Sequence, residues 1–129
     1  MSFGGDLASF ARKTGITMDR IMRKICLDLI KDLVLLTPVD SGLARSNYFF
    51  GTDRAGGLEN AKDRSGSASF ARASQFAGTL QAGGVFYIVN NLPYIMALEF
   101  GHSGQAPNGM ARIAVARAQA VIDRMGEVA

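Results

Sequence analysis

A chain of 129 residues with 48% hydrophobic side chains predicts one packed domain with a single modest core, not a disordered chain. No run of eighteen apolar residues is present, which argues against a helical membrane span, and one cysteine with one histidine supplies neither an internal disulfide nor a structural zinc ligand set. The formal charge of +3 is thinly spread, with six basic against four acidic groups over residues 1–37, four against four over 38–67 and four against three over 68–129, so the sequence contains no clustered basic face for reading nucleic acid.

In chain order, 6–14 reads as a short helix, with Asp6 as N-cap and Gly15 as stop. The first residues lack the charged start and apolar stretch of a signal peptide, and the lone thiol suits a reducing cytoplasm during synthesis. The main helix is predicted over 17–36. Arg20, Arg23, Lys24, Asp28 and Lys31 share one side of it. Met18, Ile21, Met22, Ile25, Leu29 and Leu33 form the opposite stripe, and the all-round apolar end at 33–36 predicts burial on more than one side. Thr37-Pro38 ends this helix, because a residue before proline is pushed out of the helical region. Asp40-Ser41-Gly42 is turn chemistry, with Asp40 able to bond its own backbone and Gly42 free to take positive φ.

The next segment, 43–50, reads as a strand with Tyr48 and Phe50 on one face and Phe49 on the other. Residues 51–67 are rich in Gly, Ser, Asp, Asn and Arg, which predicts a long exposed loop able to order on assembly. A helix over 68–82 would place Phe70, Ala73, Ala77 and Leu80 on one face, weakened by Gly78. Residues 85–89 read as a second strand. Pro93 then starts a helical turn through Phe100, closed by Gly101 in a positive-φ conformation. A loop over 102–108 leads to a last helix over 109–125 with Met110, Ile113, Ala114, Ala118, Val121, Ile122 and Met125 as its apolar stripe. The expected fold is α+β, a small antiparallel sheet packed against the long N-terminal helix and the C-terminal helix.

Catalysis needs a nucleophile, a base and an orienting group, and no such constellation emerges. His102 in its Gly-His-Ser-Gly loop reads as an exposed histidine and Cys26 as a buried inert thiol. Glu99, between Leu98 and Phe100, is the one carboxylate in apolar surroundings. It is expected to pair with an arginine such as Arg45 or to cap a nearby helix, ahead of serving as an acid of perturbed pKa. Gly83-Gly84 precedes a strand and lacks the trailing Lys-Ser/Thr of a phosphate loop. The reading is a non-enzyme without a cofactor.

Two segments carry a more specific signal. Thr37-Pro38-Val39-Asp40-Ser41-Gly42-Leu43-Ala44-Arg45-Ser46-Asn47-Tyr48 follows a long amphipathic helix. Asn90-Asn91-Leu92-Pro93-Tyr94-Ile95 continues through Leu98-Glu99-Phe100-Gly101 to Gln105-Ala106-Pro107 and Gly109-Met110, before another helix. In this order and spacing they resemble the neck or tail-completion proteins of long-tailed bacteriophages, the lambda-type tail protein Z family, over residues 25–124. Serine at 41 varies the threonine of that turn, and Tyr48 stands where a tryptophan is expected. The 51–67 loop matches nothing in the family.

The resemblance implies a structural virion protein, a ring-forming subunit of six copies at the head–tail joint, made in the host cytoplasm. Its partners would be itself, a head-completion or connector protein and a tail terminator protein, around a channel through which DNA slides. It involves no membrane and no metal. The residues carried over, as structural or interface positions, are Pro38, Asp40, Gly42, Arg45, Asn91, Pro93, Tyr94, Glu99, Gly101, Gln105, Pro107 and Gly109. The alternative is a small cytoplasmic DNA-associated or regulatory protein, suggested only by a pI near 9.4.

Overall fold

The computed structural model describes residues 3–53, 56–58, 60–101 and 103–128, with side chains at 3, 4, 6 and 126–128 excepted. His102 therefore lies outside the described residues. The first helix, α1, runs Phe3–Thr14. Asp6 falls inside it and is not its N-cap, while Gly15 ends it at φ +74° as its sequence suggested.

The main helix, α2, spans Met18–Leu36. The Thr17 side chain accepts from the Arg20 amide at 3.3 Å, an N-cap worth about 1 kcal/mol. Its buried residues are Ile21, Ile25, Cys26, Ile30, Leu33 and Val34. The core-facing stripe is thus turned from the expected one: Met22 and Leu29 are half-buried, and Cys26, Ile30 and Val34 point inward. The helix meets three others, α1 and the later helices Ser67–Ala77 and Ala111–Val128, which widens the buried arc beyond a single stripe. At its apolar end Leu33 and Val34 are buried and Leu36 half-buried, so burial does reach more than one side, while Leu35 stays exposed.

A single helical turn, α3 (Leu43–Ser46), replaces the first half of the expected 43–50 strand. Gly42 opens it from the left-handed region at φ +93°. The Ser46 hydroxyl and the Asn47 amide then bond back to the Gly42 and Leu43 carbonyls. These i→i−4 bonds hold the backbone in a turn, and Leu-Ala-Arg-Ser offers no β-branched side chain to oppose them. The strand β1 is only Tyr48–Gly51. It pairs antiparallel with β2 (Tyr87–Asn90), in the register Tyr48↔Asn90 and Phe50↔Ile88. Tyr48 enters the core, and Phe50 stacks on Phe76 at 6.2 Å between ring centroids.

Helix α4 covers Ser67–Ala77 and stops at Gly78, earlier than residue 82. Ala73, Ala77 and Leu80 are buried on the expected face, and the small side chains let α4 lie close to α2. Helix α5 is Ile95–Glu99, and α6 runs Ala111–Val128. Gly109 precedes α6 at φ +86° instead of belonging to it. One core cluster joins Ile30, Val34, Tyr48, Ala73, Met110 and Ala114. A second, of Leu7, Ile21, Ile25 and Ile122, seals α1 against α2 and α6. The architecture is a small α+β fold: a two-stranded antiparallel sheet carried on packed helices.

Loop 51–67 is shorter than its composition suggested, because Gly51 belongs to β1 and Ser67 to α4. Residues 56–58 and 60–62 are exposed, but the last part is anchored. The Asp63 amide donates to the Gly42 carbonyl and to Ser46 Oγ, and the Arg64 carbonyl accepts from Arg45 at 2.7 Å. The Asp63 carboxylate caps α4, accepting from the Ser69 amide at 2.8 Å. Burial raises its pKa, yet the Ser69 amide and hydroxyl, with the Ala68 and Gly66 amides, hold it below the ordinary value.

Candidate functional site

The two family-like segments come together at the C-terminal end of α2. Thr37 closes that helix with its amide and hydroxyl, the hydroxyl donating to the Leu33 carbonyl at 2.7 Å. Tyr48 then donates to Thr37 Oγ1, also at 2.7 Å and buried. Burial pushes the Tyr48 phenol up to about 12, partly offset by the Thr37 bond and reinforced by the negative charge of Glu99. Arg45 caps the same helix end: its guanidinium donates to the Thr37 and Leu35 carbonyls at 3.2 and 3.1 Å. A cation there also opposes the negative end of the helix dipole.

Gln105 ties the second segment to the first. Its Oε1 accepts from the Val39 amide at 2.8 Å, and its Nε2 donates to the Val39 carbonyl at 3.0 Å. One side chain so replaces a strand partner for Val39. Glu99 organises the start of α6, its carboxylate accepting from the amides of Met110 (3.2 Å), Ala111 (2.7 Å) and Arg112 (3.4 Å) and from Arg112 Nε (2.9 Å). Burial alone would raise its pKa. The Ala111 amide, the Arg112 side chain and the Met110 and Arg112 amides outweigh that and hold the carboxylate below its usual value. Glu99 takes both roles expected of it, capping a helix and pairing with an arginine, and that arginine is Arg112 instead of Arg45.

The glycines of the motif serve backbone geometry. Gly101 has φ +86°, and a side chain there would run into the Pro107 carbonyl. Gly109, at the same φ, abuts the Glu99 carbonyl, and a Cβ on Gly42 would meet the Arg64 amide at 2.6 Å. Asn91 donates weakly to the Gly57 carbonyl at 3.5 Å. Asp40 does not close its own turn: Ser41 Oγ accepts from the Leu43 amide instead. The Asp40 carbonyl accepts from Arg64, leaving its carboxylate in solvent.

Arg45, Glu99, Gly101, Gln105 and Gly109 thus build the fold. Asp40, Pro93, Tyr94 and Pro107 are exposed and free to touch a partner. Between the two turns lies an open cleft of about 250 Å³, with Pro38, Asp40, Gly42, Tyr94 and Gln105 among its walls. Beside it, α5 buries none of its residues completely. Sequence reasoning missed Arg112 and Asp63. An acid twelve residues before a helix start was the available signal for the first; for the second, an Asp within a turn of a serine-rich helix start was the signal.

Cys26 is buried and its thiol is pushed up to about 12 by desolvation, which keeps it protonated and inert. Among the described residues no cluster of His, Cys, Asp and Glu can hold a metal ion, and no helix is long and apolar enough to cross a membrane. Comparison with known proteins found no matching family model, no matching curated protein and no matching solved structure.

Proposed function

We propose that this chain is a structural subunit of a long-tailed phage neck. Copies close into a ring, six by the resemblance, joining the head-completion or connector protein to the tail terminator. The single observation that carries the reading is the apolar surface beside the two motif segments. Tyr94, Met96, Phe100 and Val115 lie on or beside α5 and on the outer side of α6, and all are strongly exposed, from 43% at Tyr94 to 61% at Phe100. Arg112 covers one side of the Phe100 ring, at 5.4 Å from its centroid. A small domain that leaves several large apolar side chains exposed gains most by covering them with another protein.

The basic residues favour this reading over the DNA-associated one. Arg23, Arg45, Arg64, Arg72 and Arg112 all donate to backbone carbonyls inside the molecule. Five of the fourteen basic side chains are therefore engaged in architecture, and the mild surface charge that is left suits a ring through which DNA slides without being gripped. The chemistry is binding only, with many modest interfaces closed by rotational symmetry. Native mass spectrometry and imaging of the purified chain test it, followed by mass spectrometry of purified virions. Rings and presence in virions are expected. A chain that stays monomeric at every concentration and is absent from virions would remove the assignment.

A further inference from the structure

Away from the two turns, α1, α2 and α6 leave an open groove of about 500 Å³ between them, within the range of about 300–1,000 Å³ usual for small-molecule sites. Its floor is apolar. Ile21 is buried, Phe10 and Met125 are half-buried, and Ile16 forms one wall with 36% of its surface exposed. Apolar surface recessed in this way is reached by a narrow tail more readily than by a flat interface.

One rim of the groove is cationic. Arg23 and Lys24 follow Arg20 by three and four residues along α2, a spacing that brings the three side chains to one face of the helix. None of the residues lining the groove is acidic. The neighbouring acids of α2 are engaged elsewhere: Asp19 Oδ1 accepts from the Ala82 amide at 2.7 Å, and Asp28 pairs with Lys24 at 2.9 Å. Arg23 uses Nε on the Leu80 carbonyl and keeps both terminal amino groups as donors. The Arg20 guanidinium has no partner among the described residues. The groove also lies at the N-terminal end of α2, where the helix dipole adds positive potential.

An apolar trough with a cationic rim selects an anionic head on an aliphatic tail, and a guanidinium donates to both oxygens of a carboxylate at once. We propose that this groove binds one straight-chain carboxylate of the fatty-acid class, its tail along Phe10, Ile16, Ile21 and Met125 and its head against Arg20 and Arg23. Nothing in this depends on the ring reading.

Calorimetry on the full chain with butanoate, hexanoate, octanoate and decanoate, each below micelle formation, tests it. Affinity should rise about two- to four-fold for each added methylene, up to the length that the groove covers. Octanol, which carries the tail alone, should bind several-fold more weakly than octanoate, and octyltrimethylammonium more weakly still. Arg20 is exposed, so Arg20→Gln is expected to fold and to weaken octanoate binding about two- to five-fold. That difference should fade from about 0.01 to about 0.15 M salt, as the screening length shrinks from about 30 to about 8 Å. Lys31→Gln removes an exposed cation of α2 outside the groove and should leave the affinity unchanged. Ile16→Asp puts a carboxylate on the wall and should abolish binding, with circular dichroism to check the fold; Ile16→Ser, expected to weaken binding, replaces it if the aspartate variant does not fold. Equal binding of octanoate and octanol, no dependence on chain length, or equal losses in Arg20→Gln and Lys31→Gln overturns the assignment. So does octanoate displaced as the chain self-associates, which gives the groove to a second copy, or binding confined to phosphatidylglycerol vesicles, which gives it to a membrane surface.

Discussion

Replacing Glu99 by alanine removes the group on which the start of α6 depends. Three backbone amides, those of Met110, Ala111 and Arg112, lose their acceptor, and Arg112 loses its ion partner. An N-cap is worth about 0.5–2 kcal/mol, and a half-exposed ion pair at most about 1 kcal/mol. Only 14% of the Glu99 side chain is exposed and Met110 is buried, so water cannot fully replace the lost acceptor. We expect a loss of about 2 kcal/mol, or a fall in Tm of roughly 8 °C for a domain of this size. Urea titration and calorimetry measure both.

The acid side gives a second reading of the same group. The folded pKa of Glu99 lies below its ordinary 4.5. Its contribution is therefore complete above about pH 4.5 and disappears as the pH falls through the folded value. The stability gap between wild type and Glu99→Gln should narrow over that window. A loss under about 0.5 kcal/mol for Glu99→Ala, with a gap that stays constant down to acid pH, would refute the capping role.

Gly101→Ala should cost about 1 kcal/mol or more, and valine more still, since each combines a positive φ with a collision against the Pro107 carbonyl; thermal melts decide. Trypsin should cut poorly after Lys62 and Arg64, because the Asp63 amide and the Arg64 carbonyl are held by Gly42, Ser46 and Arg45. Arg45→Ala should speed cleavage after Arg64 several-fold; equal rates in the two proteins would mean that the anchor does not restrain the loop. Phe86→Asp should unfold the chain partially instead of only blocking assembly, because Phe86 packs edge-on against Phe76 at 6.3 Å, whereas Phe100→Asp should leave circular dichroism unchanged and lower association.

What the sequence determined by itself was local. Thr17 and Pro38 bracket α2, and Gly15, Gly42 and Gly101 take positive φ where their turns require it. The buried face of α6 follows its period, with Met110, Ala114 and Ile122 fully inside. Each of these depends on atoms within a few residues of one another, so the code lies in the segment. The tertiary structure alone decided the partners. Glu99 had an arginine to find, and packing brought Arg112 to it while Arg45 went to the end of α2. Loop composition said nothing of Asp63, whose anchorage depends on Gly42 and Ser69 meeting in space. In the candidate cleft, the sequence supplied both walls, but their approach depends on Gln105 bonding to Val39 across 66 residues. Contacts at that separation are selected by the shape of the whole core, because hydrogen-bonding capacity is common to many side chains and only packing chooses among them.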